Sequence, residues 1–212
     1  MRAEPLALVA ALCCGAPAHA QPRTAEVRGE VKGPDDASGD GVYGRFDGDL
    51  EIGVGLGAEL DFGGVTRPSA QLSLHYFVMA GIYASYGDSF GAGDAPMDVV
   101  RKFGCGVDLR PVFVPRWANA MEAGPALLDL TLDSISLALG AFWAEPEEGA
   151  FGDQRGFETS LGFGVPLFGR ADGLWLEARG ALRWPDEGER EESLFALLSW
   201  HSFVLTPLAK SQ

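Results

Sequence analysis

The chain has 212 residues and a formal net charge of -14, enough length for one domain with a substantial core. The acidic excess argues against nucleic acid as a partner and against a basic lipid-binding surface. Glycine (29) and proline (13) are abundant, but they fall among apolar alternations, as turns and close-packed strands require, and not in a disordered tract.

Residues 1–20 read as an export signal. Arg2 supplies a basic start, with Glu4 unusual beside it; Leu6 to Cys14 form an apolar core; Ala18-His19-Ala20 fits a small-x-small cleavage pattern that leaves Gln21 first. The apolar run is too short to cross a bilayer as a helix. Cys105 is the sole cysteine after the signal, so no intrachain disulfide is expected. Residues 21–41 are polar and rich in Gly, Pro and Asp toward their end. They are expected to be a flexible segment ahead of a β-barrel domain at 42–204, with 205–212 as a C-terminal tail.

From Val42 to Phe62 every even position is apolar or glycine, and the odd positions carry Tyr43, Arg45, Asp47, Asp49, Glu51, Glu59 and Asp61. Such period-two order is a strand with one apolar face. The phase never slips, so one long strand is expected. The alternation over 70–86 also keeps its phase. A three-residue turn pairs i with i+4 and preserves phase, so two strands meeting near Phe77–Met79 are expected. In 99–114, Val99, Phe103, Cys105, Val107 and Leu109 oppose Lys102, Gly104, Gly106, Asp108 and Arg110, and Pro111 and Pro115 end the run. Residues 115–134 read as a short helix or an irregular connection.

A fifth run begins near Ile135 and passes through Trp143. A sixth, 157–167, groups Glu158, Ser160, Gly162 and Gly164 on one face. A seventh, 174–182, groups Trp175, Glu177 and Arg179. The last is 193–203. The connections at 88–98, 146–156 and 183–192 are long and charged, whereas 77–79 and 168–173 are tight. The short 63–68 and the long 115–134 break this order.

An apolar face alone allows a sandwich, a soluble barrel around a ligand, or an outer-membrane barrel. Export, strand length, and charge combined with glycine on the non-apolar face favour the last. The expected fold is all-β, an eight-stranded antiparallel up-and-down transmembrane β-barrel. A lumen network of Arg45, Asp47, Asp49, Glu51, Lys102, Asp108, Arg110, Glu177 and Arg179 is expected, with the acids of the first strand meeting Lys102, Arg110 or Arg179. Trp143 and Trp184 suit the membrane interface, and Trp175 suits the interior. Eight strands leave room inside for side chains only, which disfavours a general porin.

Signal, strand count, alternation and loop asymmetry over 42–203 together resemble the small eight-stranded outer-membrane barrels of Gram-negative bacteria, broadly the OmpA transmembrane domain. The resemblance implies an outer-membrane location, contact with membrane lipids, insertion by the barrel assembly machinery, and a monomer. One departure is that Phe203 is followed by VLTPLAKSQ, where many such chains end on an aromatic residue. A few barrels of this kind are hydrolases acting on lipid A. Ser199 and His201 share one strand face, as nucleophile and base would, but their order departs from the His-x-Ser of those enzymes and no third carboxylate is identifiable. No catalytic residue, cofactor or metal is therefore expected; His75 and His201 with Asp47 or Glu177 are too few for a metal site. The acidic loops read as hydrated tips that could collect divalent cations at a lipopolysaccharide surface. The resulting expectation is a non-enzymatic barrel with a structural or surface-recognition role. The alternatives are a lipid-active hydrolase and a soluble periplasmic ligand-binding barrel.

Overall fold

The computed structural model describes residues 48–90, 99–119, 121 and 125–206. The expected signal at 1–20, the polar segment at 21–41, Arg45, Asp47 and the tail beyond Thr206 lie outside the described residues. Eight strands follow one another: β1 (Leu50–Asp61), β2 (Thr66–Tyr76), β3 (Ala80–Asp88), β4 (Val99–Leu109), β5 (Ser136–Pro146), β6 (Gln154–Pro166), β7 (Gly173–Pro185) and β8 (Glu191–Val204). They close into a barrel in sequence order, with β1 antiparallel to both β2 and β8. Closure leaves no sheet edge unpaired.

The long alternation from Val42 does not stay in the wall throughout. β1 begins at Leu50, where both neighbours run out, opposite Tyr76 of β2 and Val204 of β8. Gly48 and Asp49 precede the strand. The alternation over 70–86 splits at Phe77–Met79, and Tyr76 faces Ala80, so the phase is kept across the turn. That turn places Phe77 and Val78 at φ 50° and 62°. Such backbone costs bulky residues roughly 1–3 kcal/mol each. Burial of Val78 against Phe113 works against that cost.

Several strands, β2 with Thr66–Pro68 among them, reach further than their apolar runs suggest. Gln154–Gly156, Arg183–Pro185 and Glu191–Glu192, expected in loops, belong to the wall. Arg183 faces Glu191 and Gly156 faces Pro185 across the strands. Ladder hydrogen bonds satisfy the backbone whatever charge the side chain carries, and period-two pleating then turns Arg183 inward.

All four connections on one side of the barrel, the loop end, join β1–β2, β3–β4, β5–β6 and β7–β8. The opposite side, the floor end, carries the 77–79 and 167–172 turns and a longer segment between β4 and β5. There the chain forms two helices, α1 (Phe113–Ala118) and α2 (Ala126–Asp133). α2 is tied to β6 through Ser134, whose hydroxyl donates to the Gly164 carbonyl at 2.9 Å and accepts from the Gly164 N–H at 2.8 Å.

The wall is inverted relative to a water-soluble protein. Leu56 (66%), Leu161 (62%), Ile82 (57%) and Trp200 (56%) are exposed on its outside, whereas Glu51, Glu59, Arg67 and Asp108 inside are 1% exposed. A soluble chain places these residue types the other way round.

Candidate functional site: the charged lumen

Period-two pleating sends alternate residues of all eight strands inward, and the inward set is charged. Toward the loop end, Lys102 bridges Glu191 at 2.7 Å and Asp61 at 3.3 Å. Arg67 meets Asp61 at 2.5 Å and lies 3.7 Å from Glu59. Below it, Arg183 bonds Glu59 at 2.6 Å and Glu158 at 2.5 Å. Its guanidinium lies over the rings of Phe142 and Phe195, and the Tyr83 hydroxyl donates to Glu158 at 2.9 Å. Next, Arg179 pairs with Asp108 at 2.6 Å and lies over the Tyr83 ring. His75 stands 3.6 Å from Asp108. Nearest the floor, Arg110 grips both oxygens of Glu51 at 2.6 and 2.8 Å.

Glycine makes room for these side chains. A Cβ on Gly140 would lie 2.6 Å from the Tyr83 hydroxyl and closer still to the Cys105 carbonyl of the neighbouring strand. Glycine permits such close approach.

Several sequence expectations meet here and others do not. Glu51 reaches Arg110, and Asp108 reaches Arg179. Lys102 does not meet the early acids of β1 but serves Asp61 and Glu191 at the loop end. Among the described residues, Asp49 forms no ion pair with Lys102, Arg110 or Arg179; its carboxylate accepts from the Thr206 backbone N–H at 2.5 Å and from the Thr206 hydroxyl. The hydroxyl bond is the main reason its pKa falls below the ordinary carboxylate value. Asp49 sits one residue before the wall begins and is buried there. Glu59, Arg67, Glu158 and Arg183 were not singled out from the sequence. Arg67 and Arg183 fall in stretches that read from sequence as connections. The parity of Glu177 and Arg179, carried two steps further, points to Arg183.

Trp143 and Trp184 face outward near the loop end, paired across strands with Phe103 and Phe157 at ring separations of 6.0 and 5.8 Å. Trp175 is buried, with its indole N–H donating to the Ala171 carbonyl at 2.9 Å and its ring 4.9 Å from that of His201.

Ser199 and His201 do touch. Ser199 Oγ lies 3.1 Å from His201 Nε2, and Glu51 Oε1 lies 2.6 Å from His201 Nδ1. The distances match a serine, base and orienting acid. The surroundings do not. Glu177 Oε1 lies 3.0 Å from the same Nε2. A carboxylate at each nitrogen draws an N–H from both sides of the ring, which leaves no lone pair to take the serine proton. Ser199 is also 2% exposed, inside a lumen filled by side chains. The arrangement ties β1, β7 and β8 together. Among the described residues no group of three or more His, Cys, Asp or Glu could hold a metal ion.

Apolar clusters flank the network. At the floor, Phe113 packs on Val78 beside Met79 and Phe203, and Leu130 packs on Ala171 and Trp175. Toward the loop end, Val99 packs with Phe142 and Ala144, and Ala181 with Phe195 and Leu197. Arg116 holds the two helices together through Asp129 at 2.5 Å and Asp133 at 2.7 Å. Burial lowers the guanidinium pKa, but the hydrogen bonds to Asp133 and Asp129 outweigh it and hold the value above the ordinary one.

These features define a class: a closed eight-stranded antiparallel barrel with a side-chain-filled ionic lumen and an apolar exterior. No protein-family model matches the chain, and no curated protein matches it. Among solved structures it is similar to Ail, the attachment invasion locus protein of Yersinia pestis, at 12% identity and a TM-score of 0.35, over 72% of this chain and 96% of that one. The same protein in complex with the heparin analogue sucrose octasulfate gives 10% identity and a TM-score of 0.34 over the same shares. OpdO of Pseudomonas aeruginosa gives 14% and 0.27, over 73% of this chain and 50% of that one. Values this low carry neither a family nor a function, and they do not single out the OmpA transmembrane domain. The barrel stands on the strand pairing of the chain itself.

Proposed function

We propose that this chain is a non-enzymatic outer-membrane β-barrel whose wall faces lipid, whose lumen is a salt-bridged plug, and whose loop end faces the cell exterior. The observation that carries this reading is the inverted polarity of the wall. An exterior of exposed Leu, Ile, Phe and Trp is stable only against an apolar solvent. Charges inside such a barrel must pair with one another, as Arg183, Arg179 and Arg110 do with their carboxylates. Strands of 9 to 14 residues suit the hydrocarbon thickness crossed at a tilt.

The role that fits a plugged barrel is structural, or recognition through the loop end, where Glu147, Glu148, Asp153, Asp186, Glu187 and Glu189 are exposed. Membrane lipids are its immediate partners, with lipopolysaccharide and its divalent cations beside the acidic loops, and the barrel assembly machinery inserts it as a monomer. Refolding from urea tests the reading. Dilution into lipid vesicles should give a compact band on an unboiled gel that shifts on boiling, and dilution into buffer alone should not. In planar bilayers the folded protein should show no open-pore current. A soluble, monomeric fold in buffer would contradict the lipid-facing wall, and a steady conductance would contradict the plug.

A further inference from the structure

The segment between β4 and β5 repeats the inversion of the wall. Among the described residues of 111–135, every exposed side chain is uncharged: Val114, Trp117, Met121, Leu127 and Leu128 are the large ones, with prolines, Ala118 and Asn119 between them. Its described charged residues point the other way. Asp129 and Asp133 are buried, and Arg116 is turned onto both. A helical cap meeting water would reverse this order.

Two connections at the other end of the same barrel, β5–β6 and β7–β8, reverse it, whereas the β1–β2 turn exposes Phe62 and no charge. Glu147, Glu148, Asp153, Arg155 and residues 186–190, apart from Gly188, expose charge. The helical segment therefore differs from these two connections in the charge it exposes, and not merely in length.

The apolar surface of the helices is also continuous with the exterior of the wall. Leu109 and Leu137, which bracket the segment, are exposed on the outside, as is Phe163 of β6, the strand that α2 is tied to. Beyond β6, Leu167 and Phe168 extend the patch, with Phe168 73% exposed. Arg170 and Asp172, exposed and 3.4 Å apart, follow at once and mark where water begins.

We propose that α1 and α2 lie in the interface of the periplasmic leaflet, with Val114, Leu127, Leu128 and Phe168 seated among lipid acyl chains and headgroups. The occupant of this surface is the bilayer itself. The inference rests on the lipid-facing reading of the wall. Its chemistry is that of interfacial helices, which bury an apolar face to the headgroup boundary, with aromatic residues at that depth.

The test is spin-label accessibility in lipid nanodiscs, on the full barrel with its cysteines changed to serine. Labels go on Leu127→Cys in α2, on Leu198→Cys in the wall and on Glu187→Cys in the loop end. Oxygen partitions into lipid and a charged nickel chelate stays in water. The proposal expects position 127 to behave like 198, with oxygen collisions at least several-fold favoured over nickel, and unlike 187. A water-like signal at 127 with a lipid-like signal at 198 would overturn the interfacial helices and leave the membrane wall intact. Protection of 127 from both reagents would also overturn it, because a protein or a second copy would then cover the surface. A water-like signal at 198 would instead sink the membrane reading itself.

Discussion

The two ends of this barrel are built from opposite materials. At the loop end the β5–β6 and β7–β8 connections expose Glu, Asp and Arg, and the ions of the lumen continue almost to the mouth through Lys102, Asp61 and Glu191. At the floor end the lumen stops against Phe113, Val78, Leu130 and Trp175, and the two helices beneath turn apolar side chains outward and hide their charges. Length alone does not separate the ends, since the longest described connection lies at the floor. Polarity does. Ion pairs run toward the mouth at one end, whereas at the other the Arg110–Glu51 and Arg116–Asp129 pairs are covered by packed apolar side chains. Each substitution below is a way to break one end without the other.

The largest effect is expected at Arg183, which serves two carboxylates that are themselves buried. Arg183→Met leaves Glu59 and Glu158 without their common cation and should cost about 3–5 kcal/mol in urea unfolding from vesicles. Phe113→Ala is the floor counterpart. Phe113 is fully buried under the barrel, and its loss should cost about 3 kcal/mol. Hydrogen exchange should localise that loss to the helices and the 77–79 turn, whereas Arg183→Met should loosen the loop-end halves of β6 to β8.

Ser199→Ala removes one hydroxyl from the Glu51, His201 and Glu177 cluster and should cost only about 1 kcal/mol. Neither the parent protein nor this variant should be labelled by a fluorophosphonate, because His201 has no free nitrogen with which to activate the serine. Labelling of the parent that the variant abolishes would contradict that account.

The smallest effect concerns Asp49 and Thr206. The carboxylate is favoured in the folded state, so the clasp is fully present above the ordinary carboxylate pKa of about 3.9 and is lost as pH falls through the lowered folded value. Exchange of the Thr206 amide, corrected for its intrinsic rate, should rise on acidification below about pH 4. Asp49→Asn should remove this pH dependence.

Much of this was legible in the sequence, because period-two order survives wherever one face must be apolar. Strand count followed from phase, and the kept phase over 70–86 admitted the three-residue turn that lies at 77–79. Trp175 was aimed inward by parity, and so were Glu51 and Arg179. What parity could not locate was the end of each strand. Charge at 183–192 looks the same in a loop tip and in a lumen, and only pairing with Glu191 distinguishes Arg183 as part of the wall. Residues 115–134 carry neither period two nor a long amphipathic helix, so the sequence does not mark the bounds of α1 and α2. The acid beside His201 was hidden for a similar reason. Glu51 lies 150 positions away in the chain, and barrel closure between β1 and β8 brings it there.

The central claim is that this inverted wall is solvated by the outer membrane. Separation of inner and outer membranes from expressing cells on a density gradient tests it most directly, with samples run boiled and unboiled. The account predicts that the protein sediments with the outer-membrane fraction and migrates as a compact species until boiled. Recovery in the soluble periplasmic fraction, with one mobility in both samples, would contradict it.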